Sequence, residues 1–377
     1  MSPAGPGVAD LLIVGTGLIG TSIGLALAGT REVLLHDLDP IHLGEAVDRG
    51  AGRAWDGAER VSHAVLAVPP SLIPTALLEL QQAGIAATYS HVASVQARVQ
   101  ADLVAAGCDL TTVCGGHPMA GAELPGPGLA AATLFAGRPW LLCPGESTSV
   151  AALAAATELA VACGGQVTRQ EAAEHDRIVA LVSHLPQIAA SALAGLLRGQ
   201  QPAVALSGPG LRDTTRIAAS DPRLWQDVLL RNAPSLAPLV RQLAEQLGVV
   251  ADALTQVSSS TAWDRADGGA PDPVLAEVTA VLAGVLEAGR TGRALVPVKR
   301  GGTDRDFAGV DVAVPDEPGQ LAALLSAAAA AGVNVEDVNV DHLPGRPTGV
   351  ISLVVRRPEQ ARLHTSLLGL GWAARLR

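Results

Sequence analysis

At 377 residues the chain is longer than one hydrophobic core usually serves, so two or three domains are expected. Apolar residues make up 49% and charged residues only 16%, a balance that excludes a disordered chain. The net charge is −10 and Lys299 is the only lysine, so no basic stripe exists for nucleic acid, and an anionic ligand must be met by locally placed arginines.

Cys108, Cys114, Cys143 and Cys163 have neither CxxC pairing nor metal-ligand spacing with histidine, which points to free thiols in a reducing compartment and to no bound metal. Met1 to Asp10 lacks the basic-then-apolar order of a signal peptide, and charges interrupt the alanine-rich runs before they reach bilayer length. A cytoplasmic, soluble protein is expected, with no nucleic acid or membrane partner.

In chain order, Leu11 to Val14 is an apolar strand, followed by Gly15-Thr16-Gly17-Leu18-Ile19-Gly20 and a helical pattern through Leu27. A GxGxxG between strand and helix is the dinucleotide fingerprint. Gly15 serves the tight turn, Gly17 a close approach to pyrophosphate and Gly20 helix–strand packing, while the helix N-terminus at Leu18 and Ile19 offers its N–H groups. A second strand, Glu32 to His36, ends at Asp37, about 20 residues past the turn, where an acid bonds both ribose hydroxyls and repels a 2′-phosphate. NAD is therefore expected over NADP; the competing reading makes Asp37 a surface acid opening the Asp37-Leu38-Asp39-Pro40 turn.

Ala64 to Val68, Thr88 to Val92 and Leu110 to Val113 read as further strands. Val68 and Pro69 close the first of these and complete the cofactor-binding set. Ser94, after the second, can cap the helix around Arg98 to Leu103 and can also orient His117. The third feeds Gly115-Gly116-His117-Pro118-Met119-Ala120-Gly121, a glycine-bounded loop holding one imidazole at the edge where open α/β sheets place ligands. His117 there can exchange a proton near neutral pH, or it can be a turn histidine facing water. After Leu141-Leu142-Cys143 one more αβ unit closes a dinucleotide-binding domain over 9–168.

From Glu171 the pattern turns helical, with Ile178, Leu181, Val182, Leu185 and Ile188 on one face. Pro186 within Ser183-His184-Leu185-Pro186-Gln187 removes a backbone hydrogen bond, frees the Val182 carbonyl and kinks the helix. His184 is then either a packed histidine or part of a cleft wall. Arg216, in Asp213-Thr214-Thr215-Arg216, can hold a carboxylate with its planar fork or pair with Asp213 or Asp221. Asp221-Pro222 caps a helix carrying Trp225. Apolar helices over Leu236 to Leu254 and Val274 to Leu286 suggest burial against a second subunit, and 169–296 is read as a helical substrate and dimerisation domain.

The glycine-histidine loop, Ser183-His184-Leu185-Pro186 and Asp213-Thr214-Thr215-Arg216-Ile217-Ala218 with Trp225, in this order behind a GxGxxG, resemble the prephenate/arogenate dehydrogenase family of tyrosine biosynthesis over roughly Leu11 to Leu286. The resemblance implies NAD-dependent oxidation of a ring carbinol with loss of a carboxylate and aromatisation. It implies His117 as catalytic base held by Ser94, Arg216 as substrate-carboxylate anchor, His184 lining the substrate and nicotinamide site, and Trp225 near the cleft at the dimer interface. Gln187, where many members carry histidine, Ala122, where many carry a hydroxyl, and Glu123 complete the implied substrate set. Gln96 stands where a lysine is common. The substitutions at Gln187 and Ala122 bear on the choice between prephenate and arogenate.

Polar residues 297–308, with Gly301-Gly302, read as a linker. Beyond it, strand, helix, two strands and helix, with a short last strand near Trp372, suggest a ferredoxin-like α+β sandwich over 309–377. Asp316-Glu317-Pro318-Gly319 and Gly332 to Asp337 resemble an ACT domain, which implies an aromatic amino-acid effector at Asp316, Pro318, Gly319 and Asn334. The whole is thus a Rossmann-type α/β domain, an all-α dimerisation domain and an ACT domain, in a homodimer. Two other readings stand beside it. A β-hydroxyacid dehydrogenase shares the two-domain plan but places a lysine on the long helix, and here the sole lysine lies in the linker. A non-catalytic amino-acid sensor would have no need of His117, Ser94 and Arg216.

Overall fold

The computed structural model describes residues 9–121, 126–258, 273–296, 306–342 and 348–377. Ala122, Glu123 and most of the 297–308 segment, Lys299 included, lie outside the described residues. Two compact units divide at Leu243/Ala244.

The first unit is built on an eight-stranded sheet. In sequence order its elements are β1 (Ala9–Val14), α1 (Leu18–Leu27), β2 (Val33–His36), α2 (Pro40–Asp48), β3 (Arg53–Ala54), β4 (Val61–Leu66), α3 (Ile73–Gln82), β5 (Ala86–His91), α4 (Ala97–Ala106), β6 (Val113–Pro118), β7 (Pro139–Cys143), α5 (Val150–Ala162) and β8 (Gln166–Arg169). Strand order is β3-β2-β1-β4-β5-β6-β7-β8. The first six are parallel, in the order of a dinucleotide-binding sheet, and β7 pairs antiparallel with β6. Leu12, Val14, Leu34 and Leu66 pack in one core and Leu11, Ile13, Leu35 and Val65 in another. Both faces are covered, which is why these strands read as unbroken apolar runs. Each buried Leu or Ile contributes roughly 1.5–3 kcal/mol.

Two expectations shift here. Leu110–Thr112 is a 3-10 turn rather than strand, because Asp109 accepts the Thr111 N–H at 2.9 Å and turns the chain. The strand is β6 itself, and it contains His117. The side chain of Ser94 makes no hydrogen bond to the start of α4. The backbone N–H groups of Gln96 and Ala97 donate instead to the Asp176 carboxylate at 2.8 and 2.9 Å.

Helices follow: α6 (Ala172–Val179), a π-helical turn Ala180–His184, α7 (Leu185–Gly195), α8 (Gln201–Val204), α9 (Pro209–Thr215), α10 (Pro222–Arg231) and α11 (Ala233–Ser258). The π turn sits one residue ahead of Leu185-Pro186, where the proline supplies no N–H, so the expected irregularity takes the form of a widened turn. The apolar stripe of this helix faces away from its own chain: Leu181 and Val182 are 55% and 58% exposed. At about 100° per residue the opposite face carries His175, Asp176, His184 and Gln187, all buried. The stretch Ala172–Gly195 has the length and apolarity of a membrane span, and its inward face carries the polar residues His175, Asp176, His184 and Gln187.

The second unit contains α12 (Pro273–Arg293), β9 (Phe307–Pro315), α13 (Gln320–Ala330), β10 (Val335–His342), β11 (Thr348–Arg356), α14 (Gln360–Gly369) and β12 (Ala373–Leu376). Its sheet has the order β10-β11-β9-β12, all antiparallel. Alternate residues Val310, Val312 and Val314 of β9 and Ile351, Leu353 and Val355 of β11 pack against Leu324, Ala328, Leu363 and Leu367 of the two helices. The short last strand expected near Trp372 is β12.

Candidate active site

Where the strand order reverses, the ends of β1 and β4 part and the glycine turn sits between them. Gly15 has φ +99°, and a Cβ on it would lie 2.6 Å from the Ala67 carbonyl oxygen. A Cβ at Gly20 would lie 1.9 Å from the Gly15 oxygen. Both glycines are demanded by the protein's own packing. Gly17 is not, since a Cβ there would meet no atom within 4 Å, so the reason for a glycine lies in what approaches its backbone. Helix α1 begins there with no side-chain cap and no acid in its first turn, leaving the N–H groups of Leu18, Ile19 and Gly20 to an anion. Val68 packs 3.0 Å from the Gly15 Cβ position, with Pro69 next to it. At the end of β2, Asp37 Oδ2 accepts the Thr16 N–H and hydroxyl, and Oδ1 accepts the Asp39 N–H. Each oxygen keeps lone-pair capacity for a vicinal diol. This turn fits a dinucleotide.

Three strands from β1, β6 carries His117 past two glycines. A Cβ at Gly115 would lie 2.4 Å from Gln96 Oε1 and 3.0 Å from His91 Nε2, and one at Gly116 would press on Leu142 and Trp140. The buried Gln96 amide donates to the Ala93 and Gly116 carbonyls at 2.7 and 3.0 Å and so clamps β6 in place. The His117 Nδ1 lies 2.9 Å from His175 Nε2, and His175 Nδ1 lies 2.8 Å from Asp176 Oδ1. His175 fills the place that the sequence assigns to Ser94. Ser94 is half-buried, and no hydrogen bond joins it to His117 among the described residues.

His184 lies at the end of the π turn. Its Nδ1 is 3.0 Å from Asn232 Nδ2, which also donates to the Asp176 carbonyl at 2.8 Å, and its ring meets Trp225 edge-on at 5.9 Å. Burial, followed by the neighbouring His175, His184 and His91, pushes His117 down to about 3. Burial pushes His184 down to about 4 against the pull of Asp176. Solvent reaches part of His117, which moderates the shift, but the direction makes both imidazoles neutral at physiological pH.

A cavity of about 300 Å³ opens among Gly121, Val182, Ser183, Pro186, Gln187, Ile217, Ser220 and Trp225. The Gln187 amide donates to the Ile217 carbonyl at 3.1 Å and so ties α7 to the residue after Arg216. Arg216 itself is exposed, at the head of the 3-10 turn Arg216–Ala219. The structure thus gathers His117 and His184 into one hydrogen-bonded group, and Gln187 and Trp225 onto one cavity. His175, Asp176 and Asn232 were not singled out from the sequence. An adjacent His-Asp pair opposite an apolar stripe is the signal that could have found the first two, while Asn232 carries no sequence signal.

A family model described as the prephenate dehydrogenase nucleotide-binding domain matches residues 25–169, and one described as the prephenate dehydrogenase dimerization domain matches 171–264. The chain is 36% identical over 368 residues to the probable prephenate dehydrogenase NovF of Streptomyces niveus, covering 96% of this chain and 98% of that one. It is 25% identical over 354 residues to the prephenate dehydrogenase of Bacillus subtilis, covering 88% and 87%. Among solved structures, the prephenate dehydrogenase of Aquifex aeolicus in complex with hydroxyphenyl propionate and NAD+ shares the fold, with a TM-score of 0.60 at 23% identity over 77% of this chain and 99% of that one. With its glycine turn, its strand-borne histidine and a near full-length relative at this identity, the chain belongs to the prephenate dehydrogenase family.

Proposed function

We propose that this chain is an NAD-dependent prephenate dehydrogenase, converting prephenate to 4-hydroxyphenylpyruvate and carbon dioxide. The observation that carries the reading is the His117 imidazole on β6, 2.9 Å from His175 Nε2 and in one hydrogen-bonded group with His184. The uncharged ring accepts the proton of the ring hydroxyl, the group whose carbon is oxidised. NAD, when bound at the Gly15–Gly20 turn with its ribose on Asp37, supplies the hydride acceptor. Val68 and Pro69 wall that turn.

Arg216 anchors a substrate carboxylate with its planar fork. Gln187 and Trp225 line the ring's cavity, Ala122 and Glu123 complete the substrate-binding set, and His184 and Ser94 contact substrate beside His117. Water-poor surroundings strengthen these interactions.

The exposed Leu181 and Val182 stripe, within the matched dimerization domain, is covered in a homodimer. Within the second unit, residues 309–377 form a ferredoxin-like ACT domain, a reading supported by the βαββαβ order of β9 to β12 and by Gly319 at φ +91° ahead of α13. It takes an aromatic amino acid at Asp316, Pro318, Gly319 and Asn334. Four buried free cysteines suit a reducing cytoplasm.

NADH formation with prephenate and with arogenate, measured in parallel, tests the reading. A higher kcat/KM on prephenate is expected. Preference for arogenate would assign the amide of Gln187 to an amino-bearing substrate, and inertness toward both would leave an amino-acid sensor.

A further inference from the structure

Two imidazoles stand in this site, and the groups behind them differ in kind. Behind His117 is His175, and behind His175 is a carboxylate. Behind His184 is a side-chain amide whose other contact is a backbone carbonyl. Donor and acceptor bookkeeping along each chain fixes where the protons sit.

Asp176 Oδ1 accepts from the Gln96 N–H and Oδ2 from the Ala97 N–H, so the carboxylate presents acceptors only, and His175 Nδ1 must donate to it. The same carboxylate caps the first N–H groups of α4. With a single ring proton, held on Nδ1 by Asp176, His175 accepts at Nε2, so the Nδ1 of His117 donates and its Nε2 keeps a lone pair.

For His184 the order reverses. A peptide carbonyl can only accept, so the Asn232 atom 2.8 Å from the Asp176 oxygen is the amide nitrogen. The same nitrogen faces His184 Nδ1 at 3.0 Å, which therefore accepts, and the ring's proton sits on Nε2.

We infer that Asp176 sets opposite tautomers in the two imidazoles: through His175 it bares His117 Nε2 as a proton acceptor, and through Asn232 it leaves His184 an Nε2–H donor. His175, Asp176 and Asn232 are positioning residues acting through the two rings. The inference deepens the base role proposed for His117 and adds a role for His184, as a donor to a substrate oxygen. A base and a donor side by side cannot exchange functions, because each is locked by a separate partner of one residue.

The test uses the full chain, free of ligand, with 15N-labelled histidine at neutral pH. Side-chain 1H–15N correlations distinguish protonated from bare ring nitrogens, and spectra of H117N and H184N assign the two rings. A bare Nε2 in His117 and a bare Nδ1 in His184 are expected. The same tautomer in both rings, or a proton on His117 Nε2, overturns the inference.

Kinetics add a second readout. His175→Phe should lower kcat by at least about 10-fold with KM for NAD and prephenate little changed, and His175→Gln, whose amide oxygen can accept from His117 Nδ1, should recover part of the loss. Full kcat in His175→Phe overturns the relay. If that variant fails to fold, the wild-type spectrum still decides. Near-normal turnover by His117→Asn would remove the base role while leaving the tautomer result standing, so the two failures are distinguishable.

Discussion

Asp37 Oδ2 accepts both the backbone N–H of Thr16, at 2.6 Å, and its hydroxyl, at 2.9 Å. One carboxylate therefore shapes the glycine turn, and the proposed function sets the ribose against it. Asp37→Ser should weaken NAD binding by at least about tenfold, the scale of losing a charge-assisted hydrogen bond, and should raise the ratio of NADP to NAD in kcat/KM. Dissociation constants and rates for both cofactors check this, and an unchanged ratio would free Asp37 of the discriminating role.

The three glycines of the turn separate stability from binding. Gly20→Ala places a methyl 1.9 Å from the Gly15 oxygen and should lower the melting temperature by several degrees, a loss of about 1–3 kcal/mol from overpacking. Gly17→Ala meets no protein atom and should melt within a degree or two of wild type while NAD affinity falls. Calorimetry and cofactor titration together distinguish the two.

Acid sensitivity follows from two buried histidines of the sheet, His63 on β4 and His91 on β5. His63, between Thr88 and Ser90, is pushed down to about 4 by burial and then by Arg31, and His91 to about 4 by burial and then by His175. Their folded-state values lie below the ordinary 6.5, so between 6.5 and 4 the unfolded chain binds more protons than the folded one. Stability is lost as pH falls through that window, by up to about 1.4 kcal/mol per pH unit for each ring. Melting temperatures from pH 8 to 4.5 should begin to fall below 6.5, less steeply in His63→Gln. A flat profile would contradict the buried neutral state.

Arg216→Ala should raise KM for prephenate about 10-fold or more while leaving NAD affinity alone, since a bidentate contact to a charged group is worth roughly 1.5–3 kcal/mol. Gln187→Leu, which unties α7 from Ile217, should raise KM by less. An unchanged KM in Arg216→Ala would return that residue to the surface.

The sheet was legible because its strands are buried on both faces, and an unbroken run such as Leu11 to Val14 has one reading. The glycine turn was legible because Gly15, Gly17 and Gly20 each do one local task. Periodicity was less informative on the helix through His184. It located the Ile178, Leu181, Val182 stripe but not the side that faces the chain, which is the polar one opposite. The place of Ser94 at a neighbouring strand end points to it as the partner of His117. His175, 58 residues further along the chain, reaches His117 only through tertiary packing, which spacing does not encode.

The central claim is that the β6 imidazole removes the substrate's hydroxyl proton. Single-turnover mixing of the NAD-loaded enzyme with prephenate tests it directly, following NADH in wild type and His117→Asn. The account predicts one NADH per site in wild type and a rate at least about 10²-fold lower in the variant, with NAD bound as tightly. Near wild-type NADH formation by His117→Asn would contradict it.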